Sequence, residues 1–235
     1  MEVSGLKVSL TGVRAVRGDW TLFAQGTFDE GIHLISGDVG SGKSTLALLL
    51  AGLFPPVSGM MEREGIASVM IAFQFPEFHV TGPDLERECK AWGVDPGTVL
   101  AAAGLAGLRT KNPLDLSRGE LKRLILACVL TRDHDLLILD EPFSSLDCVE
   151  KERLCTALSG RKRGITIIFT HEKACFPRVD RIWEIQGEVL HDRGRLPSAL
   201  GHWDHAPTIV KSLIAGGKIP ANISQDDLLE AACRT

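Results

Sequence analysis

The chain has 235 residues, 44% of them hydrophobic and 24% charged, which is enough apolar surface for a packed core in one large domain or a domain with an appendage. A formal net charge of −4, with no Lys/Arg cluster that outweighs the acids, speaks against nucleic acid as the main partner. No apolar run is long enough to span a bilayer and no secretory leader opens the chain, so the expectation is a protein that does not cross the bilayer, which leaves docking on a membrane protein open. The six cysteines, at 89, 128, 148, 155, 175 and 233, form no CxxC pair and mostly sit in apolar segments. They are expected as reduced thiols in a cytosolic compartment, with neither disulfides nor a zinc site.

In chain order, Leu6–Leu10, Thr21–Phe28 and Gly31–Ser36 alternate and turn often, which predicts short antiparallel strands leading into one buried strand. Ser44–Leu53, rich in Leu and Ala and closed by Gly52 and Pro55-Pro56, predicts a helix. Ser68–Phe73 reads as a compact apolar strand ending at Gln74. From Phe75 to Leu116 the texture shifts to Ala/Gly-rich helical pieces broken by Pro83, Pro96, Gly104 and Pro113, the composition of a small inserted helical subdomain. Glu120–Leu130 and Val149–Leu158 are expected as helices, and Leu136–Leu139 and Ile165–Phe169 as buried strands. Asp180–Val189 has strand texture with a turn at Gly187, and Leu200–Thr235 suggests two short helices around Pro220. Strands alternating with helices, the strands continuously apolar, indicate a parallel sheet covered on both faces. The predicted fold is α/β: a parallel sheet core with an N-terminal antiparallel β subdomain and an inserted helical subdomain at about residues 75–116. A main domain over 1–199 is followed by a short helical extension over 200–235.

Between the third strand and the first helix stands Gly37-Asp38-Val39-Gly40-Ser41-Gly42-Lys43-Ser44-Thr45. Its glycines let the backbone curl so that successive N–H groups face phosphate oxygens, and the following helix adds the positive end of its dipole. Lys43 is expected at the β/γ-phosphates, and the Ser44 hydroxyl as a ligand of Mg²⁺. The strand Leu136–Leu139 delivers Asp140 beside the phosphates to hold the Mg²⁺ shell, and Glu141 where a carboxylate would polarise an attacking water. The sheet is therefore expected to be a P-loop NTPase core, with ATP and Mg²⁺ as its ligands.

Between these two halves lies Leu116-Ser117-Arg118-Gly119-Glu120, which resembles the LSGGQ signature of ABC transporter ATPases. Gln74 at a strand end resembles that family's Q-loop glutamine, Ser144-Ser145-Leu146-Asp147 its D-loop, and Thr170-His171-Glu172 its switch-histidine segment. The resemblance covers residues 1 to 195. It implies that two such domains pack head to tail, each ATP lying between one P-loop and the partner's signature. Ser117 and the Gly119 amide would then grip nucleotide held by the other subunit. His171 would contact the γ-phosphate from the P-loop side, and Gln74 would link Mg²⁺ to a transport subunit.

Three departures accompany the resemblance. Arg118 replaces a glycine of the signature, where it would weaken the clamp, add a cation near phosphate, or point neutrally to solvent. The chain has no tyrosine, the residue that commonly stacks on adenine in the family, so that role falls to Arg17, to Trp20 or to neither. The stretch from Gln74 to Ser117 is shorter than in many relatives, which suggests a specialised partner.

Phe73-Gln74-Phe75-Pro76-Glu77, Thr81–Glu88 and the tail Ala206–Leu229 resemble the A-components of energy-coupling factor (ECF) importers, the cobalt-type importer ATPases among them. That resemblance implies a peripheral ATPase on the cytoplasmic face of the membrane, paired with a second ABC subunit of the same or a different kind. Its further partners would be a transmembrane T-component and a substrate-binding S-component, for uptake of a vitamin or a transition-metal ion. The alternatives are an ABC subunit of another transporter class, and a soluble ABC ATPase acting on nucleic acid or ribosomes. Against the last stand the single ATPase unit, the absence of heptads and the lack of a basic face. Arg161-Lys162-Arg163 is expected as a solvated turn, and His202-Trp203-Asp204-His205 as a surface turn despite its ligand-like spacing.

Overall fold

The computed structural model describes residues 5–233; the outermost residues of the predicted two-part division, 1–4 and 234–235, lie outside it. Among the described residues, nine strands form one continuous sheet in the order β4-β1-β2-β9-β8-β3-β7-β6-β5. Strands β1 (Lys7–Arg17) and β2 (Trp20–Asp29) make a long antiparallel hairpin whose two-residue turn places Gly18 at φ 62°. Strand β4 (Ser58–Glu64) adds antiparallel to β1. Its sequence, SGMMERE, has no apolar alternation because β4 is an exposed edge, which explains why sequence patterning missed it.

The parallel core comprises β3 (Gly31–Gly37), β5 (Val69–Ala72), β6 (Leu136–Asp140), β7 (Ile165–Phe169) and β8 (Arg181–Gln186). Strands β6 and β7 are buried at every position, as strands covered on both faces must be. Strand β9 (Val189–Arg195) turns back antiparallel on β8 through Gly187-Glu188 and then meets β2 in parallel at Phe23↔Val189. That contact carries the antiparallel strands into the same sheet as the core.

Side chains that alternate along each core strand feed two hydrophobic layers. Leu137, Leu139 and Ile168 face one layer, together with helices α2 (Leu85–Ala91), α3 (Pro96–Ala102), α4 (Arg118–Leu130) and α5 (Cys148–Ser159). Leu136, Ile138, Ile167 and Phe169 face the other, with helix α1 (Lys43–Ala51) and the hairpin. The tail returns to the first layer through α6 (Thr208–Ala215) and α7 (Gln225–Cys233), anchored by Val210, Ile223 and Leu228. Asn222 fastens it further, pairing both amide atoms with the backbone of Val179 at 2.9 and 2.8 Å. Among the described residues no helix is long and apolar enough to cross a membrane.

Gly26 shows how tightly the sheet is packed where its two parts meet. It adopts φ 145°, and a Cβ there would lie 2.6 Å from the Trp183 ring. Trp183 cannot retreat, since it is fully buried against Phe28 and its indole N–H donates to His33 Nδ1 at 3.1 Å. Gly26→Ala is expected to lower the unfolding free energy by about 2 kcal/mol, combining overpacking with backbone strain; denaturant melts of the two proteins measure it.

Candidate functional site

Strand β3 ends at Gly37, and the chain curls through residues 38–42 before α1 begins at Lys43. Gly40 and Gly42 take φ 84° and 98°, conformations that side chains resist. Gly42 is constrained a second time, because a Cβ there would sit 1.8 Å from the Trp20 indole, which lies across the loop. Lys43 folds back over the loop and donates to the carbonyls of Gly37 and Asp38, both at 2.8 Å. Burial lowers the pKa of this lysine, and the neighbouring Glu141, Asp140 and Asp38 oppose that shift.

Strand β6 runs beside β7, and its end places Asp140 and Glu141, each 5% exposed, at the mouth of the loop. The Glu141 backbone is held at φ 48°, unusual for a residue with a side chain, by its N–H donating to Phe169 O at 2.9 Å. Its carboxylate lies 2.7 Å from His171 Nδ1 and accepts from the Thr170 hydroxyl at 3.2 Å. A carboxylate oriented by an imidazole and a hydroxyl is an arrangement suited to general-base chemistry. Asp140 lies near the Ser44 hydroxyl, and its Oδ1 is buried without a hydrogen-bond partner. Burial raises its pKa, and the nearby Ser44 hydroxyl, Lys122 and Lys43 pull it down.

These groups surround an open cleft of about 310 Å³, lined by Arg17, Trp20, Val39, Gly40, Gly42, Lys43, Ser44, Thr45, Gln74, Glu141 and His171. Most of the residues expected to bind nucleotide or to act on it are thus brought together. Both candidates for stacking on a base, Arg17 and Trp20, stand at its wall. Gly37 and Ser41 shape the loop from behind, since a Cβ on Gly37 would meet the Ser41 hydroxyl at 2.7 Å. Asp38 turns away, with its side chain 88% exposed. Ser117 and Gly119 do not line the cleft. Ser117 instead caps α4 in a reciprocal box with Glu120, and Gly119 packs near the Ser145 carbonyl, which a Cβ would approach to 2.8 Å.

Several participants were not legible from spacing alone. Arg118 is exposed and does not line the cleft; its guanidinium lies over the Phe75 ring, 4.9 Å from the centroid. The turn at His202–His205 exposes His202 and Asp204 but also braces the core through its other two residues. Trp203 is buried and donates to Ser36 Oγ at 2.7 Å, while His205 contacts the buried Glu184 and reaches Asp38 at 3.1 Å. Arg161 also departs from a solvated turn, bonding Thr166 Oγ1 at 3.1 Å and His134 O at 3.2 Å. Among the described residues no group of three or more His, Cys, Asp or Glu could hold a metal. A different donor set stands here: the Ser44 hydroxyl and Gln74 amide oxygen line the cleft, and the Asp140 carboxylate adjoins its wall next to Glu141. Hard oxygen donors of this kind, one of them a buried oxygen without a partner, fit Mg²⁺.

A family model described as ABC transporter matches residues 27–144. The energy-coupling factor transporter ATP-binding protein EcfA1 of Thermotoga maritima is 32% identical over 212 residues, covering 79% of this chain and 80% of that protein. The thiamine import ATP-binding protein ThiQ of Mesorhizobium japonicum is 33% identical over 208 residues, covering 77% of this chain and 81% of that one. Among solved structures, a bacterial Atm1-family ABC exporter with ATP bound superposes with a TM-score of 0.69 at 22% identity, over 82% of this chain and 39% of the exporter chain. That last likeness speaks to the fold alone.

The segment after Gln74 carries a pH-dependent contact. His79 accepts the Phe73 N–H at 2.9 Å and stacks on the Phe73 ring, and burial, helped by the Lys122 charge, lowers its pKa from 6.5 to about 4. The folded state therefore binds fewer protons than the unfolded state between these values. The contribution is complete above pH 6.5 and is lost as pH falls toward 4. Between pH 7 and 5 this residue is expected to remove about 2 kcal/mol of stability. Urea unfolding at the two pH values should show that increment in the native sequence and not in His79→Gln.

Proposed function

We propose a function for this chain on one established premise: it belongs to the ABC transporter family of ATP-hydrolysing proteins. Its role is that of the ATP-driven subunit of a membrane importer of the energy-coupling factor type. The observation that carries the reading is the cleft itself, where Lys43, Ser44, Gln74, Glu141 and His171 converge while Ser117 and Gly119 stand outside it. A site divided in this way favours head-to-tail pairing of two ABC subunits, each lending Ser117 and Gly119 to the nucleotide of the other.

In this reading the residues 37–45 cradle the phosphates of ATP, and Lys43 exchanges its loop carbonyls for the β/γ-phosphates. Ser44, Asp140 and Gln74 hold Mg²⁺, which when bound supplies positive charge against the phosphate oxygens. Glu141 accepts a proton from the attacking water, and His171 orients Glu141 through their 2.7 Å contact. Arg17 or Trp20 supports the base.

The importer assignment draws on the relatives, which include ATP-binding proteins of an energy-coupling factor transporter and of thiamine import. It draws also on the surface next to Gln74. Phe75 and Phe78 are 43% and 73% exposed and meet edge to face, giving an apolar patch where a cytosolic helix of a transmembrane T-component would dock. The helical segment 75–116 serves as that docking subdomain and residues 200–235 as a bracing extension. The protein then works peripherally, on the cytoplasmic face of the membrane, with an S-component binding the vitamin or metal ion.

Glu141→Gln is expected to cut phosphate release at least about a hundredfold while nucleotide binding persists; undiminished turnover removes Glu141 from catalysis. Phe78→Asp should abolish co-purification with a co-expressed T-component and leave ATP affinity unchanged, as measured by pull-down and by nucleotide titration.

A further inference from the structure

Two cations on one face of α4 grip the three consecutive residues that carry Gln74. Lys122 is 2% exposed, and its ammonium donates to the carbonyls of Phe73 at 3.3 Å and Gln74 at 3.1 Å. Arg118, one helical turn earlier, stacks on the ring of Phe75. Lys122 makes no ion pair among the described residues, so the two carbonyls are the partners that satisfy this buried cation. The opposite side of the segment is also held, by the Phe73–His79 hydrogen bond and the Phe75–Phe78 contact. The same helix opens at Ser117, whose capping box sets the geometry of the Ser117–Gly119 turn.

We infer that Arg118 and Lys122 are positioning residues for Gln74, locking the glutamine in this chain's own cleft to the Ser117–Gly119 turn at the start of α4. The inference rests on the function proposed above, in which that turn serves the partner's nucleotide. It adds that occupancy of one site is felt at the other through α4, and that this chain's arginine in the signature has a task a glycine could not perform. A helix that tilts on binding the partner's ATP carries residues 73–75 with it. Both ends of the connection are short and one is desolvated, so little motion is lost between them.

Hydrogen exchange and steady-state ATPase measurements on the full chain test this. Arg118→Ala should speed exchange over residues 73–79 about threefold, the size of one part-exposed cation–π contact. Lys122→Met, which keeps the buried length, should speed it about tenfold or more. Phe75→Leu should match Arg118→Ala, the double variant should be no worse than either, and Phe75→Trp should restore protection. The rate kcat should fall by similar factors while the nucleotide Kd moves by less than about twofold. Unchanged exchange over 73–79, additive effects at Arg118 and Phe75, or loss of protection spread equally to β3 and α1 would overturn the inference. Failure of the native chain to bind ATP would instead refute the proposed function, and the exchange data would still decide whether α4 holds the Gln74 segment.

Discussion

Strands β3, β7, β6 and β5 run parallel as hydrogen-bonded neighbours, so their carboxyl ends emerge side by side along one edge of the sheet. The register pairs Ile35 with Phe169 and Asp140 with Phe169. The segment leaving each strand must therefore begin within a few ångströms of the segment leaving its neighbour. The glycine loop leaves β3, Thr170-His171 leaves β7, Asp140-Glu141 closes β6, and Phe73-Gln74 leaves β5. Four segments separated by up to about 130 residues in the chain become one cleft because the backbone ladder leaves them nowhere else to go.

Within that cleft the charges are balanced by burial. Lys43 is desolvated and would lose its proton more easily were Asp140 and Glu141 not beside it. Asp140 is desolvated in turn and is restrained by Ser44 and two lysines. Burial works against the charge on Lys43 and on Asp140, and the opposite charges beside each work for it. At Glu141 the constraint lies in the backbone. Its positive φ is a strain that only the surrounding hydrogen bonds sustain, and the same strain aims its carboxylate at His171.

Two peripheral elements are tied back to this edge. The tail reaches it through Trp203 on Ser36 and His205 on Asp38, so the extension braces the start of the glycine loop. Helix α4 reaches it from the other side through Arg118 and Lys122. Neither tie is covalent or local in sequence. They give the loop and the Gln74 segment fixed supports outside the sheet, which a cleft built only of loop ends would lack.

The fold class and the main stations of the site were legible in the sequence because each rests on a local rule. Continuous apolar runs such as Leu136–Leu139 and Ile165–Phe169 imply buried parallel strands, and the glycines of residues 37–42 imply a loop that side chains could not follow. The features that tertiary structure alone decided involve contacts between distant residues. Strand β4 exists because β1 offers it an edge, not because SGMMERE favours a strand. Lys122 reads as an ordinary helix lysine until β5 brings the Phe73 and Gln74 carbonyls to it. Arg118, exposed at the start of α4, gains a partner only when the fold brings the Phe75 ring beneath its guanidinium. His205 resembled a ligand or a surface turn until β8 supplied a buried Glu184. The local chemistry of a residue is written in its neighbours along the chain. The partner that gives a buried charge its purpose is written only in the packing, because desolvation and hydrogen-bond geometry depend on atoms that sequence order does not bring together.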